Sequence, residues 1–348
     1  MLMMVASELF SAYDVFFVDM FGVIWDGVSW IADTMESLTS LVKGGKTVII
    51  LSNASISTAQ MLRKYAPTGV GKGIQFSDFV TSGEVLMYVL RSGTLSFSTM
   101  QLPKSYILFG NQSCNSFHGT KYIHVNSIDE ADFIYASIPQ LYSEQKALLP
   151  EELQNFLVVS NMRSEDELVW DSISVEPFLG QLQEFASKKK PMLVANPDKF
   201  AFIGTSCSHD SNDYTPKLVV RQGCIGEAYA NLGGEVKFIG KPYPEVYRYA
   251  LDVATKLHGI HFDQLGSLKF AMIGDTLETD ILGAQNATTE FGIKIDGILV
   301  KSGITGQDMF NAGIDFSAEQ AVRGYCLARA ITPNHVIGKL ALDADVLF

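Results

Sequence analysis

Short unbroken runs of apolar residues recur along this chain, and each closes on a glycine or a polar group. The first, residues 15–18, reads Val-Phe-Phe-Val and ends at Asp19. A run without alternation predicts a strand covered on both faces, as in a parallel sheet. Residues 47–51, rich in β-branched side chains, predict a second such strand, with Ser52 and Asn53 at its end. Between them, apolar positions at helical spacing predict a helix over 33–41, stopped by Gly44 and Gly45. A helix over 57–65, a strand at Phe79 and Val80, the turn Thr81-Ser82-Gly83 and a helix over 84–91 come next. Strands alternating with helices predict a parallel sheet with helices on both faces.

After Gln101 the rhythm restarts. Residues 106–109, 122–125, 133–138, 156–159 and 192–195 read as strands, with helices over 143–152 and 175–186 among them. This middle block predicts a second α/β domain. Residues 206–214 are polar and predict a loop, and 223–232 predict a helix ended by Gly233 and Gly234. The strand expected over 236–239 runs into Gly240-Lys241-Pro242, and a helix over 244–257 starts on a proline. Residues 270–273 predict a strand ending at Gly274-Asp275, with a helix starting near Asp280; 298–300 is the last clear strand. No internal repeat or low-complexity tract interrupts this order.

A length of 348 residues favours two domains. With 47% hydrophobic and 18% charged residues the chain can bury a large core and is not of the disordered class. The formal charge of -12 opposes binding to nucleic acid or anionic membranes. The one basic run, Lys188-Lys189-Lys190, reads as a solvated helix end. Four dispersed cysteines (Cys114, Cys207, Cys224, Cys326) lack the spacing of a zinc or redox motif and are expected as reduced thiols of a cytoplasmic protein. Six histidines likewise show no ligand spacing. The apolar amino end has no positive leader and is broken by Asp14 and Asp19, so neither a signal peptide nor a membrane span is expected.

The chemistry gathers at the carboxyl ends of the expected strands: Asp19, Ser52 with Asn53, Lys241, and Asp275 with Asp280. Ligands of open parallel sheets bind outside those ends. Aspartates from separate strands can hold a hard divalent cation, and a lysine and a hydroxyl beside them can hold phosphate oxygens. Together they predict phosphoryl transfer with one carboxylate as nucleophile. Ser52 and Asn53 could instead cap the following helix, and Asp280 could be no more than a helix cap. Two other glycine-rich stretches fail as nucleotide loops. Gly45-Lys46-Thr47 precedes its strand, and no strand feeds directly into 69–73.

The segments FFVDMFGVIWDG, TVIILSNAS, FIGKPYPEVYRYAL and AMIGDTLETD, in that order, resemble the four motifs of the haloacid-dehalogenase superfamily. The long insertion between the second and third resembles the class IIA hydrolases, with their large α/β cap. TSGE, VANPDKF and GCIGEAYANLGGEVKFIGKP resemble the p-nitrophenyl-phosphatase and nucleotide-monophosphatase branch of that class. The resemblance implies a doubly wound parallel-sheet core over 1–101 and 236–348, with an inserted α/β cap domain over 102–235. It implies a magnesium-dependent phosphatase of small phosphate monoesters that forms an aspartyl-phosphate on Asp19. Ser52 and Asn53 would bind the phosphoryl group, and Lys241 would neutralise it. Asp19, Asp275 and the carbonyl of Phe21 would hold the metal, with Asp280 behind them. Asn196 and Asp198 resemble a loop facing the substrate, although a turn role fits them equally. The implied partner is a small phosphorylated metabolite, and caps of this class also serve homodimers.

One position departs from that pattern. The family's phosphatases carry a second aspartate two residues after the nucleophile as general acid and base, and Phe21 stands there. Weak turnover of alkyl phosphates is the expected consequence, with aryl and acyl phosphates less affected. Asp26, beyond the turn, is the carboxylate that could stand in. Phe21, Trp25 and Trp30 are expected as packing between cap and core. The alternative functions are a phosphate-binding or regulatory protein that kept the metal site, and phosphoryl transfer to an acceptor other than water.

Overall fold

A computed structural model describes residues 6–26, 29–31, 33–111, 117–160, 168–203, 217–315, 317–344 and 346. In chain order its strands are β1 (Val15–Val18), β2 (Thr47–Ser52), β3 (Asp78–Thr81), β4 (Ser105–Phe109), β5 (Ile123–His124), β6 (Phe133–Ala136), β7 (Gln140–Tyr142) and β8 (Leu157–Val159). They continue with β9 (Val169–Ser172), β10 (Met192–Val194), β11 (Phe200–Ile203), β12 (Lys217–Val220), β13 (Val236–Phe238), β14 (Phe270–Gly274), β15 (Ile295–Val300) and β16 (His335–Ile337). The chain divides into two compact units, one of Met1–Ser52, Thr58–Thr81 and Gly240–Phe348, the other of Asn53–Ser57 and Ser82–Ile239.

The first unit is built on a six-stranded sheet in the order β16-β15-β14-β1-β2-β3. Every neighbouring pair in it is parallel. All residues of β1, β2 and β14 are buried, as strands covered on both faces must be. From β1 the chain steps outward through β2 to β3 on one side, and returns through β14, β15 and β16 on the other. The order therefore reverses between β1 and β14, which opens a crevice at their carboxyl ends. Helix Pro244–His258 packs its apolar stripe, with Val246, Tyr247, Ala250, Leu251 and Ala254 buried, and stops at Gly259 in the left-handed conformation.

The second unit holds a five-stranded parallel sheet in the order β13-β10-β6-β4-β5. An antiparallel trio β7-β9-β8 and an antiparallel pair β11-β12 accompany it. Its core packs Phe109, Ile134, Leu182, Met192, Val194 and Tyr229. The architecture is thus the expected doubly wound α/β core with a second α/β domain inserted in it.

Several expectations change in detail. The division falls at Ser82 and Gly240, not at 101/102 and 235/236. Helix Ser82–Ser92 groups with the second unit, and β13 pairs with β10, so this strand belongs to the inserted sheet and not to the core. The helix expected over 143–152 is two short ones, Ser143–Ala147 and Glu151–Gln154, because Pro150 cannot continue a helix. The 175–186 helix begins as a 3-10 turn at Glu176–Phe178, which contains a proline, before the α-helix Leu179–Ser187. A π-helical turn, Leu277–Ile281, precedes helix Leu282–Phe291. Helices Ile304–Asn311 and Glu319–Ala328 and strand β16 were not foreseen. The loop expected at 206–214 lies outside the described residues, as do Cys114, Cys207 and His209. Cys224 and Cys326 are free thiols. Among the described residues no helix is long and apolar enough to cross a membrane.

Candidate active site

The register of β1 on β14 sets the site. Val18 sits opposite Ile273, and the backbone N–H of Asp19 donates to the Ile273 carbonyl at 2.9 Å. The chain therefore delivers Asp19 and Asp275 from the ends of adjacent strands, at the point where the strand order reverses. The π-helical turn after β14 swings Asp280 back toward them. Asp19, Asp275 and Asp280 are all buried, and each offers a carboxylate oxygen within 4.8 Å of the others.

Lys241 enters from a direction the sequence did not suggest. It follows β13, a strand of the other sheet, and lies on the connection into helix Pro244–His258. Its Nζ donates to Asp19 Oδ1 at 2.5 Å and to Asp280 Oδ1 at 2.7 Å. The second oxygen of Asp280 accepts from the Thr276 N–H at 3.1 Å. Asp280 is thus shared between the lysine and the backbone, which suits a residue that orients Lys241. Ser52, the last residue of β2, is 1% exposed, beside the site strand β1.

The charges do not balance within the protein. Three buried carboxylates face one ammonium. Burial pushes the Asp19 carboxyl well up; Lys241 opposes that rise, and Asp280 and Asp275 add to it. Burial, then Asp280, raises Asp275 to about 7, against the pull of the Ile304 N–H. Burial by itself would lower the Lys241 ammonium, but Asp19 and Asp280 outweigh it and hold it protonated. Two surplus negative charges among hard oxygen donors fit a divalent cation.

This cluster predicts an acid-favoured fold when no metal is present. A carboxyl whose folded pKa is raised contributes stability below its unfolded value, and that stability is lost as pH climbs through the folded value. Metal-free protein should therefore melt at progressively lower temperature from about pH 4 to about pH 7. Magnesium should raise the melting temperature more at pH 8 than at pH 5. Thermal melts with and without chelator check this, and an equal magnesium increment at both pH values would refute it.

The loop after β15 is a part of the site that motif reading missed. Ile304 N–H donates to Asp275 Oδ2 at 2.7 Å, and Ser302 Oγ donates to the Gly22 carbonyl at 2.6 Å. Gly22 has φ +81°, and a Cβ there would lie 2.3 Å from Asp275 Oδ2; at Gly303 it would lie 1.8 Å away. Only glycine lets both loops close on that carboxylate. The available signal was a glycine three residues past a parallel strand. If Asp275 holds a divalent cation, Gly303→Ala should weaken binding of that cation by about 10- to 100-fold, the usual penalty for disturbing a ligand's support. A metal titration reads it.

Phe21 stands two residues past Asp19, with its side chain 43% exposed. It was expected as packing and is not buried. Trp25 and Trp30 pack with Tyr65 inside the first unit, at ring-centroid distances of 4.8 to 5.3 Å. Asp26 accepts from the Ser29 backbone at 2.7 Å and from its hydroxyl at 3.1 Å, so this carboxylate serves an exposed turn. In the second unit, Asn196 Oδ1 accepts from the Asp198 N–H at 2.9 Å, a turn role. Asp198 and Asn53, both expected at substrate, bond each other, Asn53 Nδ2 donating to Asp198 Oδ1 at 2.7 Å.

Comparison with known proteins places both halves of the first unit in one family. A family model described as haloacid dehalogenase-like hydrolase matches residues 16–117, and one described as HAD-hydrolase-like matches 238–322. No curated protein matches the chain in sequence. Among solved structures, a possible sugar phosphatase of the HAD superfamily from Cytophaga hutchinsonii is 19% identical, covers 97% of each chain and has a TM-score of 0.61. A 4-nitrophenylphosphatase from Thermotoga maritima is 21% identical over 96% of this chain and 97% of its own, with a TM-score of 0.54. A glycerol phosphate phosphatase from Mycobacterium tuberculosis, in complex with magnesium, is 16% identical over 99% of this chain and 80% of its own, with a TM-score of 0.56. At these identities the likeness is one of fold.

Proposed function

Because the chain belongs to the haloacid-dehalogenase-like hydrolases, we propose that it hydrolyses a small phosphate monoester with magnesium, through a phosphoryl group carried on Asp19. The observation that carries this reading is Asp19 buried beside Asp275, with Lys241 Nζ 2.5 Å from its Oδ1. A carboxylate oxygen of Asp19 forms the new bond to phosphorus, and the bond to the leaving oxygen breaks. Lys241 and the Ser52 hydroxyl neutralise and hold the phosphoryl oxygens. Asp280 keeps the Lys241 ammonium pointed at Asp19. Asp19, Asp275 and the Phe21 carbonyl would hold a magnesium ion, with Asp280 behind them; the ion would offset the charge of nucleophile and phosphate. Water then attacks the phosphorus of the aspartyl-phosphate, releasing inorganic phosphate and restoring Asp19.

Phe21 cannot give a proton to the leaving group or take one from that water. A second reading therefore has a specific observation in its favour: a protein that binds a phosphorylated metabolite and turns it over poorly. A third, transfer to an acceptor other than water, differs only in what attacks the intermediate. The assay is release of p-nitrophenol from p-nitrophenyl phosphate, with magnesium and then with chelator. Magnesium-dependent turnover supports the hydrolase. Phosphate binding without turnover of aryl, acyl or sugar phosphates supports the binding protein. Turnover that rises with an added alcohol, with less phosphate released, supports the transferase.

A further inference from the structure

The stretch Asn53–Ser57 directly follows Ser52, yet it packs with the second unit. Three parts of that unit hold it. Asp198 accepts from Asn53 Nδ2 at 2.7 Å, and Ser82 Oγ donates to Asn53 Oδ1 at 3.2 Å. Gln222 Nε2 donates to Ser55 Oγ at 3.3 Å, and the Gly83 N–H to the Ala54 carbonyl at 3.0 Å. Two glycines make these approaches possible. A Cβ on Gly83 would meet the Ser55 and Ile56 carbonyls at 2.5 Å, and one on Gly223 would meet the Pro197 carbonyl at 2.1 Å. The Gly223 N–H also donates to the Asp198 carbonyl at 3.0 Å, which fixes the loop bearing the carboxylate. The sequence pieces TSGE and NPD therefore converge on one segment, joined by Gln222, and Gly223 at the start of GCIGE holds the NPD loop in place.

We propose that Asp198 is a positioning residue: through Asn53 it sets the backbone that continues from Ser52, and so sets the grip on the phosphoryl group. The Asn53 amide is 2% exposed, with an acceptor on its nitrogen and a donor on its oxygen, so its orientation is determined. The acceptor is a carboxylate, which makes this the stronger of the two bonds. Asn53 is joined to Ser52 by one peptide bond, so the hold on Asn53 limits where the chain leaving Ser52 can run. The consequence for phosphate rests on the phosphoryl-transfer reading; the pairing itself does not.

Hydrogen–deuterium exchange and phosphate binding, measured on Asp198→Ala and Asp198→Asn, separate the two. Asp198→Ala should speed exchange in residues 53–57 by about tenfold or more and leave 47–51 unchanged, since the lost bond is worth about that factor. Asp198→Asn keeps an acceptor oxygen and should stay close to wild type. With magnesium, the Kd for inorganic phosphate should rise about tenfold in Asp198→Ala and recover in Asp198→Asn. Unchanged exchange in 53–57 would overturn the proposal. So would faster exchange with an unchanged phosphate Kd, the result of a merely structural bond. If wild type binds no phosphate, the phosphoryl-transfer reading fails, and the exchange measurement still decides the pairing.

Discussion

Asp19→Asn should cut hydrolysis of p-nitrophenyl phosphate by on the order of 10^4- to 10^6-fold, the loss expected when a covalent nucleophile is removed. The substitution keeps the shape of the side chain and removes its charge. Lys241 keeps Asp280 as a partner at 2.7 Å, so no buried ammonium is stranded. One like charge fewer also relieves the repulsion among Asp19, Asp275 and Asp280. The metal-free variant should therefore melt no lower than wild type at pH 8, and inactivity cannot be blamed on unfolding. Steady-state kinetics beside a thermal melt check both halves. Activity within tenfold of wild type would remove Asp19 from the role of nucleophile.

Phe21→Asp should move activity in the opposite direction, by about 10^2- to 10^4-fold on an alkyl phosphate such as glycerol phosphate. An alkoxide leaves poorly without a proton, whereas p-nitrophenolate leaves well, so the gain on p-nitrophenyl phosphate should be much smaller. With Phe21 43% exposed, an aspartate there gives up little packing and is not forced into a dry pocket. Phe21→Asn is the control, since it matches the shape and cannot exchange a proton at neutral pH. A gain with aspartate and none with asparagine identifies the missing acid as the limit on turnover. Equal rates for wild type and both variants would mean another group already moves the proton. Complete inactivity of all three would favour the phosphate-binding reading.

Much of the core was legible because its strands are short, buried on both faces and uninterrupted. Val-Phe-Phe-Val, Thr-Val-Ile-Ile-Leu-Ser and Phe-Ala-Met-Ile-Gly can hardly be anything but central parallel strands. Residues at the carboxyl end of a central parallel strand face the ligand crevice, so Asp19, Ser52 and Asp275 could be picked out before any contact was known. The inserted domain was harder. Val236–Phe238 is three half-buried residues long, and nothing in Val-Lys-Phe says which sheet it joins; its pairing with β10 decides that. Asp280 looked like a helix cap or a metal-site residue, and its hold on Lys241 is a contact across 39 positions. The bond between Asn53 and Asp198 spans 145. Gly303 carries no side chain to flag its contact with Asp275.

By itself, then, the amino-acid order determined most element types, a parallel sheet covered by helices and the residues at its strand ends. Each of those is set by periodicity and chain direction over a short local stretch. Only the tertiary structure decided which sheet β13 joins, how Asp19 and Asp280 share one lysine, and which loops close on Asp275 and on Asn53. Those outcomes depend on the pairing of segments far apart in the chain, and no local pattern of apolar and polar residues encodes a distance between them.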